Sequence, residues 1–447
     1  MRQKNTLKAD GIISSENGGK RRRWFKRILA LVLLAISFSC LGTVAVVEIW
    51  PSFGAQVANQ MRNILGPQAV AQIENIVFQA QDTVKHWQYQ YTDKQAEAPW
   101  GTGATPMEPA PFAQVSIEGS SLIPEPAKIT PTPSAATETP TSIEQLQDQI
   151  PVKAANPTPT PTPYIWQLST LIPYGSMENE GVWQPYLYDR EGHVVAARTF
   201  LQPDPERPYS IVAVVAFDLT RTRLHFVLGF NEPALPDRPK GDGLIPEKDR
   251  EAGVLLAAFN GGFRAANGQF GAMADGIVAL PPKIEMATVG IYRSGEVRIG
   301  SWGEDINDTP DLQAWRQNCR LIISDGEISP RVNNNSITDW GASVSNAIIT
   351  RRSSLGLDRE AKTLYYFAGP NLSMPVLADA MLGAGVHQGM LLDINHFWVH
   401  FTAIQSEEGN LVAEPLLPGD MKDHIDRYLG PSPADFFYVT VLENHQP

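Results

Sequence analysis

The chain has 447 residues, of which 19% are charged and 43% hydrophobic, a balance that excludes a wholly disordered polymer and a multi-span membrane protein. Lys and Arg number 36 against 48 Asp and Glu, a formal net charge of -12; a nucleic-acid partner is not expected, because such proteins draw most of their affinity from neutralising phosphates. With two cysteines, Cys40 in an apolar run and Cys319 far from it, one chain can assemble neither a disulfide framework nor a thiolate zinc cluster.

Residues 1–27 form a basic tail: Arg2, Lys4, Lys8, Lys20, Arg21, Arg22, Arg23, Lys26 and Arg27 outnumber Asp10 and Glu16. Residues 28–47, Ile28 to Val47, are uncharged and rich in Leu, Ile, Val and Ala, and at about 1.5 Å per residue they match the hydrocarbon thickness of a bilayer. The expectation is a single transmembrane signal anchor with the N-terminus cytoplasmic and the rest of the chain extracytoplasmic at the cell membrane. A cleaved signal peptide competes with it but would have a shorter apolar region, and lipid attachment at Cys40 lacks the aliphatic residue expected three positions earlier.

A helical stalk is expected over 48–95. In it Val70, Ile73, Val77, Ala80, Val84 and Trp87 recur at alternating spacings of three and four, a narrow apolar seam that suits a homodimer through 70–87, or packing against lipid headgroups or the main domain. Residues 96–163 read as a disordered linker: 14 of the chain's 36 prolines fall between Pro99 and Pro163, removing the donors that helix and sheet need. Fully extended, it would reach on the order of 200 Å and hold a domain away from the membrane.

The composition becomes globular over 164–447. Tyr209–Phe217 is dense in β-branched residues and Leu224, Phe226 and Leu228 alternate after Asp218-Leu219-Thr220, so the two read as an antiparallel pair. Hairpins are expected around Ser294-Gly295 and Asp325-Gly326. Ser373 as cap, Pro375 in the first turn, an apolar face of Val376, Leu377, Ala380 and Met381, and stops at Gly383 and Gly385 define a helix. The fold class is α+β: a mainly antiparallel sheet with a few packed helices.

Four segments place polar residues beside apolar strands. Val254–Phe259 runs into Asn260-Gly261-Gly262-Phe263, whose glycines permit positive φ and a close approach of ligand to backbone. Asp275-Gly276 is a strand-edge turn with a carboxylate at its tip, equally readable as a solvated Asx-turn. Arg351 and Arg352 are adjacent on a strand and so on opposite faces, one free to bind an anion while the other is solvated. Met390-Leu391-Leu392 ends at Asp393, followed by Asn395 and His396, a position that suits a site or a capped strand end.

The order of these motifs, Asn-Gly-Gly-Phe, Asp-Gly, Arg-Ser-Ser-Leu-Gly and a helix feeding Leu-Leu-Asp, resembles the phosphodiester glycosidase family over about residues 210–402. Asn260, Gly261 and Gly262, then Asp275 and Gly276, Arg352 with Ser353 and Gly356, and Asp393 match its motifs. The match stops after Asp393, where Ile394-Asn395-His396-Phe397-Trp398 replaces the family's glycine run. The resemblance implies hydrolysis of the bond between an anomeric carbon and a phosphodiester oxygen in envelope polymers or glycolipids. Arg352 would hold the phosphate, and Asp393 and Asp275 would be the catalytic carboxylates. Asn260, Gly261, Gly262, Gly276, Asn395 and His396 would bind substrate, and the partner would be a carbohydrate or sugar phosphate.

No cofactor and no metal is expected. If Phe397-Trp398-Val399 is strand, His396 and His400 lie about 13 Å apart and cannot chelate one ion. The competing reading is a noncatalytic carbohydrate-binding or envelope-organising domain, with Phe397, Trp398 and Trp340 as a stacking platform.

Overall fold

A computed structural model describes residues 80, 82–92, 96–100, 166–334, 337–340, 349–407 and 409–442. The basic tail, the apolar run 28–47 and nearly all of the expected linker lie outside them. Among the described residues no helix is long and apolar enough to cross a membrane. The chain divides into two units, Met1–Met107 with Thr170–Pro447, and Glu108–Ser169; only 166–169 of the second are described, and everything below concerns the first.

Its strands are β1 (Gln184–Tyr188), β2 (Val194–Leu201), β3 (Val212–Asp218), β4 (Thr222–Val227), β5 (Leu255–Asn260), β6 (Ala272–Ala274), β7 (Ile277–Leu280), β8 (Ala287–Tyr292) and β9 (Val297–Ser301). They continue as β10 (Leu312–Gln317), β11 (Leu321–Ser324), β12 (Glu327–Ile328), β13 (Thr350–Leu357), β14 (Thr363–Leu372), β15 (Gln388–Leu391), β16 (Phe401–Glu407), β17 (Asn410–Pro415) and β18 (Phe436–Val441). Three sheets result: an eight-stranded one ordered β1-β2-β3-β14-β13-β15-β11-β12, and two five-stranded ones, β7-β6-β10-β8-β9 and β17-β16-β5-β18-β4. Every pairing between named strands is antiparallel, which with the few helices agrees with the α+β expectation.

The eight-stranded sheet packs on the sheet containing β5 through aromatic rings. Phe259 and Phe401 stack at 5.9 Å with an interplanar angle of 1°, Phe217 of β3 reaches both at 6.5 and 6.2 Å, and Tyr366 of β14 lies 4.8 Å from Phe259. Such offset ring contacts add to the burial of large apolar areas, and this cluster sits directly beneath the polar strand ends described below.

The expected pairing of Tyr209–Phe217 with Leu224–Leu228 does not form. β3 lies between β2 and β14, whereas β4 pairs with β18 in a different sheet. Asp218 makes the corner: its Oδ1 accepts from Thr220 N at 2.9 Å and Thr220 Oγ1 at 2.6 Å, and Leu219 N donates to Lys362 O at 2.9 Å. Every residue of β3 is buried, so its apolar run identifies a central strand without identifying its neighbours.

The other local readings form as expected. β8 pairs with β9, and β11 with β12, the latter across Asp325 and Gly326 with φ of 54° and 78°, the geometry that twisted two-residue hairpins require. The helix Met374–Gly383 starts at Ser373, whose Oγ accepts from Val376 N at 3.3 Å, and it buries Val376, Leu377, Ala380 and Met381.

Residues 82–91, expected in a helical stalk, form a helix, α1, that docks on the domain, one of the alternatives the seam left open. Asp82 Oδ1 accepts from Tyr209 Oη at 2.9 Å, Asp82 Oδ2 lies 3.4 Å from Arg207 Nε, and the Tyr89 and Tyr209 rings are 5.0 Å apart. Trp100, expected in the linker, is also packed: Nε1 donates to Leu416 O at 2.6 Å, and the ring meets Phe200 at 6.1 Å and the Arg198 guanidinium at 4.5 Å. Replacing Trp100 by Ala removes that hydrogen bond, ring contact and cation–π contact, and equilibrium urea unfolding of the full chain should show a loss of about 2 kcal/mol.

Candidate functional site

Two sheets end at one cleft. It is lined by Glu232, Asn260, Gly261, Gly262, Arg264, Asp393, Trp398, Arg427, Tyr428, Ser432, Ala434 and Asp435. The free volume between these side chains is about 10 Å³, room for roughly one water.

Asp393 is delivered by β15. The ladder with β13 continues past the strand through Leu392 N to Ser353 O and Ser353 N to Asp393 O, both at 2.9 Å. Asn318 Nδ2 clamps the same segment by donating to Leu391 O at 3.2 Å and Leu392 O at 2.7 Å. Asp393 Oδ1 accepts from Ile394 N at 2.6 Å and Asn395 N at 2.9 Å, so when the group is neutral its proton belongs on Oδ2. Burial pushes its pKa up to about 7, against the pull of those two N–H donors and of Arg316, and with a further push from Asp435.

Asp435 immediately precedes β18. Its Oδ2 accepts from Arg316 Nε at 2.7 Å and Gly262 N at 3.2 Å, and its backbone O accepts from Gly261 N at 3.1 Å. Arg316 comes from β10 in the third sheet and is 0% exposed; its remaining donors reach Phe263 O, Phe270 O and Gln317 O. Burial raises the pKa of Asp435 while Arg316 opposes that rise. The pair explains the two glycines. Neither Gly261 nor Gly262 has positive φ, contrary to the sequence expectation; a Cβ on Gly261 would fall 2.1 Å from Asp435 Oδ2 and one on Gly262 2.8 Å from Arg316 Cζ. Close approach, not turn geometry, demands glycine here.

Asn260 lines the cleft but has no hydrogen-bonding capacity left for a ligand. Its Oδ1 accepts from Tyr366 Oη at 2.9 Å and His400 N at 3.2 Å, and its Nδ2 donates to Ser353 Oγ and Gly261 O, both at 2.9 Å. All four bonds of the amide are used, and they tie β5 to β13, β14 and the segment before β16.

The other residues singled out by sequence sit elsewhere. Asp275 and Gly276, with φ of 48° and 81°, form the tip of the β6–β7 hairpin, where Asp275 Oδ1 accepts from Gln313 Nε2 at 3.1 Å; neither lines the cleft. Arg351 and Arg352 do face opposite ways from β13, but both are buried, so neither is the solvated one. Arg351 meets Asp420 Oδ1 at 3.2 Å, and Arg352 Nε donates to Leu372 O at 2.9 Å. Residues 396–398 are a turn, not strand: Asn395 Oδ1 accepts from Phe397 N at 2.9 Å, while the exposed His396 gives its backbone O to Arg351. His400 is a buried, neutral histidine, its pKa lowered to about 2 mainly by burial, with Nε2 3.0 Å from Met421 O. Of the expected aromatic platform, Trp398 lines the cleft, Phe397 stacks under Arg427 at 5.0 Å, and Trp340 is buried with Nε1 on Arg331 O.

Sequence reasoning missed Asp435, Arg316, Glu232, Arg264, Arg427 and Tyr428. Two carried a signal: Asp435 stands at the mouth of the apolar run Phe436–Val441, and Arg316 follows Ala314-Trp315 inside a strand. Glu232 accepts from Arg264 Nε at 3.1 Å and Ala265 N at 2.9 Å. Arg427 donates to three backbone carbonyls, Phe397 O at 2.8 Å, Asp423 O at 3.1 Å and His424 O at 3.2 Å. Burial lowers its pKa, and the nearby Tyr428, Asp423 and Asp426 pull it back.

No family model and no curated protein sequence matches the chain. Among solved structures it is similar to the catalytic domain of zebrafish N-acetylglucosamine-1-phosphodiester alpha-N-acetylglucosaminidase auto-inhibited by its pro-peptide, at 16% identity and TM-score 0.38 over 58% of this chain and 87% of that one. It is also similar to a hypothetical protein from Synechocystis, at 10% identity and TM-score 0.29 over 58% of this chain and 62% of that one. At these TM-scores neither likeness carries a functional argument.

The two buried carboxylates should respond oppositely to neutralisation. The folded pKa of Asp393, about 7, exceeds its ordinary 3.8, so the folded state holds the proton more tightly and stability falls as pH rises from about 4 to about 7. Asp393→Asn keeps an Oδ1 for both N–H donors and should gain stability at pH 8, with an upper limit on the order of 4 kcal/mol, and gain little at pH 4. Asp435→Asn strands the Arg316 charge and should cost about 3–5 kcal/mol at pH 8; thermal melts of both variants at the two pH values check the pair.

Proposed function

We propose that the protein is a hydrolase of glycosyl bonds whose substrate carries an anionic leaving group, a sugar-1-phosphodiester. Asp393 carries the reading: a carboxyl group buried in a cleft, with a pKa near 7, one oxygen fixed by two backbone N–H groups and the other without a bond to a described residue. A neutral acid so placed can protonate a departing oxygen, and its proton already lies on the unbound oxygen.

The charges of the lining residues support the anionic leaving group. Arg264 is matched by Glu232 and Asp435 by Arg316, so below about pH 7, where Asp393 is neutral, Arg427 is the remaining charge among the lining residues, with Asp423 and Asp426 near it outside the lining. A guanidinium at that point stabilises the charge that develops on a leaving phosphate, so less of the barrier falls to the acid. Asp435, kept in place by Arg316 and Gly262 N, is the second carboxylate, placed to stabilise an oxocarbenium-like centre. Trp398 offers an aromatic face for the sugar. The competing reading is sugar binding without turnover, for which Trp398 supplies the same aromatic face. The same proposal puts the domain outside the cell membrane, on the strength of the basic tail and the apolar run 28–47.

Full-length protein assayed on a panel of synthetic sugar-1-phosphodiesters should release phosphate ester, with kcat/KM falling as pH rises through about 7 as Asp393 loses its proton. Asp393→Asn should lower kcat by about 10²–10⁴-fold and abolish that limb; Arg427→Ala should lower kcat/KM by about 10–100-fold. Binding of the same compounds with no turnover, and with affinity indifferent to Asp393→Asn, would select the noncatalytic reading.

A further inference from the structure

Tyr428 lines the cleft from the irregular stretch between β17 and β18. Its ring is anchored on the apolar side, 4.9 Å from the Phe436 ring and 6.1 Å from that of His400, in a cluster with Ile245, Leu255, Ala258 and Ile404. Its hydroxyl lies at the polar end, close enough to the Asp435 and Asp393 carboxyls and to the Tyr366 hydroxyl to feel their charges. The residue is 3% exposed, yet the hydroxyl makes no hydrogen bond to a described residue. A buried phenol normally has a partner for its O–H, so this one is an unmet donor in the wall of the cleft.

Most other donors around the cleft are committed. Asn260 is saturated, Gly261 N and Gly262 N are held by Asp435, Arg264 is paired with Glu232, and Ser432 Oγ donates to Ala434 O at 2.7 Å. Arg427 directs three of its N–H groups to carbonyls, which leaves two of the guanidinium's five for a ligand. Among the lining residues that retain donors, Arg427, Trp398 and Tyr428, only Tyr428 is buried. Burial raises the pKa of its phenol above the ordinary 10.0, with Arg427 opposing the rise and Asp435 and Asp393 adding to it, so at neutral pH the hydroxyl keeps its proton. A phosphate brought beside two carboxyl groups must be met by donors that carry no negative charge, and bonds to a charged oxygen are roughly twice as strong as bonds to a neutral one. A sugar hydroxyl is served instead by the carboxyl groups, which accept from it.

We propose that Tyr428 is a substrate-binding residue of the cleft: its hydroxyl donates to one non-bridging oxygen of the leaving phosphate while the adjacent Arg427 holds the other, and the pair selects an anionic leaving group. The assignment rests on the reading of the substrate as a sugar-1-phosphodiester.

Binding of C-glycosyl phosphonate monoesters, in which a methylene replaces the glycosidic oxygen so that nothing is hydrolysed, tests the contact by calorimetry on the full-length protein. Tyr428→Phe, which removes only a hydroxyl without a bond to a described residue, should bind the phosphonate about 10–100-fold more weakly and lower kcat/KM on the matching phosphodiester by a similar factor. Sulfur is a weak acceptor. Exchanging one non-bridging oxygen for sulfur should, in one diastereomer, weaken binding to the parent about tenfold and to Tyr428→Phe less than about twofold, an effect that a merely structural role of the tyrosine would not produce. In the other diastereomer, whose sulfur meets Arg427, the loss should be the same in both proteins. Equal losses in both proteins for both diastereomers overturn the proposal, as does a parent that binds no phosphonate. Cleavage of phosphodiesters at an unchanged kcat/KM in Tyr428→Phe overturns the contact and leaves the hydrolase reading standing, whereas Tyr428-dependent phosphonate binding with no phosphodiester cleaved supports the contact and removes the hydrolase reading.

Discussion

The guanidinium of Arg316 has no contact with solvent, and the carboxylate of Asp435 meets it at 2.7 Å with almost none of its own. Two charges removed from water at this depth persist only when each is paired and its remaining hydrogen-bonding capacity is used, and here the third sheet, the Gly261-Gly262 turn and the chain entering β18 all contribute to that end. The pair therefore fixes where three separate segments meet. It dictates glycine at two consecutive positions, holds a carboxylate at the cleft, and adds negative charge beside Asp393.

Asn260 performs the matching task between the other two sheets. Its amide is saturated by a tyrosine hydroxyl, a backbone N–H, a serine hydroxyl and a carbonyl, and each partner comes from a different stretch of chain. Beneath it the rings of Phe217, Phe259, Tyr366 and Phe401 exclude water. A polar network over a dry aromatic floor is costly if incomplete and rigid if complete. Because this one is complete, Asp393 can be kept in a surrounding that disfavours its charge without the cleft collapsing or flooding.

Asp435 and Asp393 are carboxylates in one cleft, yet one is matched by a guanidinium and the other is held mainly by backbone N–H groups. Burial raises the pKa of both, and Arg316, which opposes that rise at each and forms its ion pair with Asp435, lies in neither of the sheets that carry the acids.

The sequence by itself determined what depends on near neighbours. The hairpins at Ser294-Gly295 and Asp325-Gly326, the capped helix from Ser373, the all-buried character of β3 and the placing of Asp393 at the end of a buried strand follow from turn chemistry, capping and periodicity, which act over a few residues. The tertiary structure decided what depends on partners far away in the chain. Asp218 turns a corner between sheets instead of closing a hairpin, Asn260 is a structural knot instead of a ligand donor, and Arg352 lies in the core while Arg427 lines the cleft. Trp100 belongs to the domain because Phe200 and Leu416 receive it. An arginine in a strand reads the same whether its guanidinium meets a carbonyl, a carboxylate or a ligand; only the burial and partners supplied by folding separate those cases.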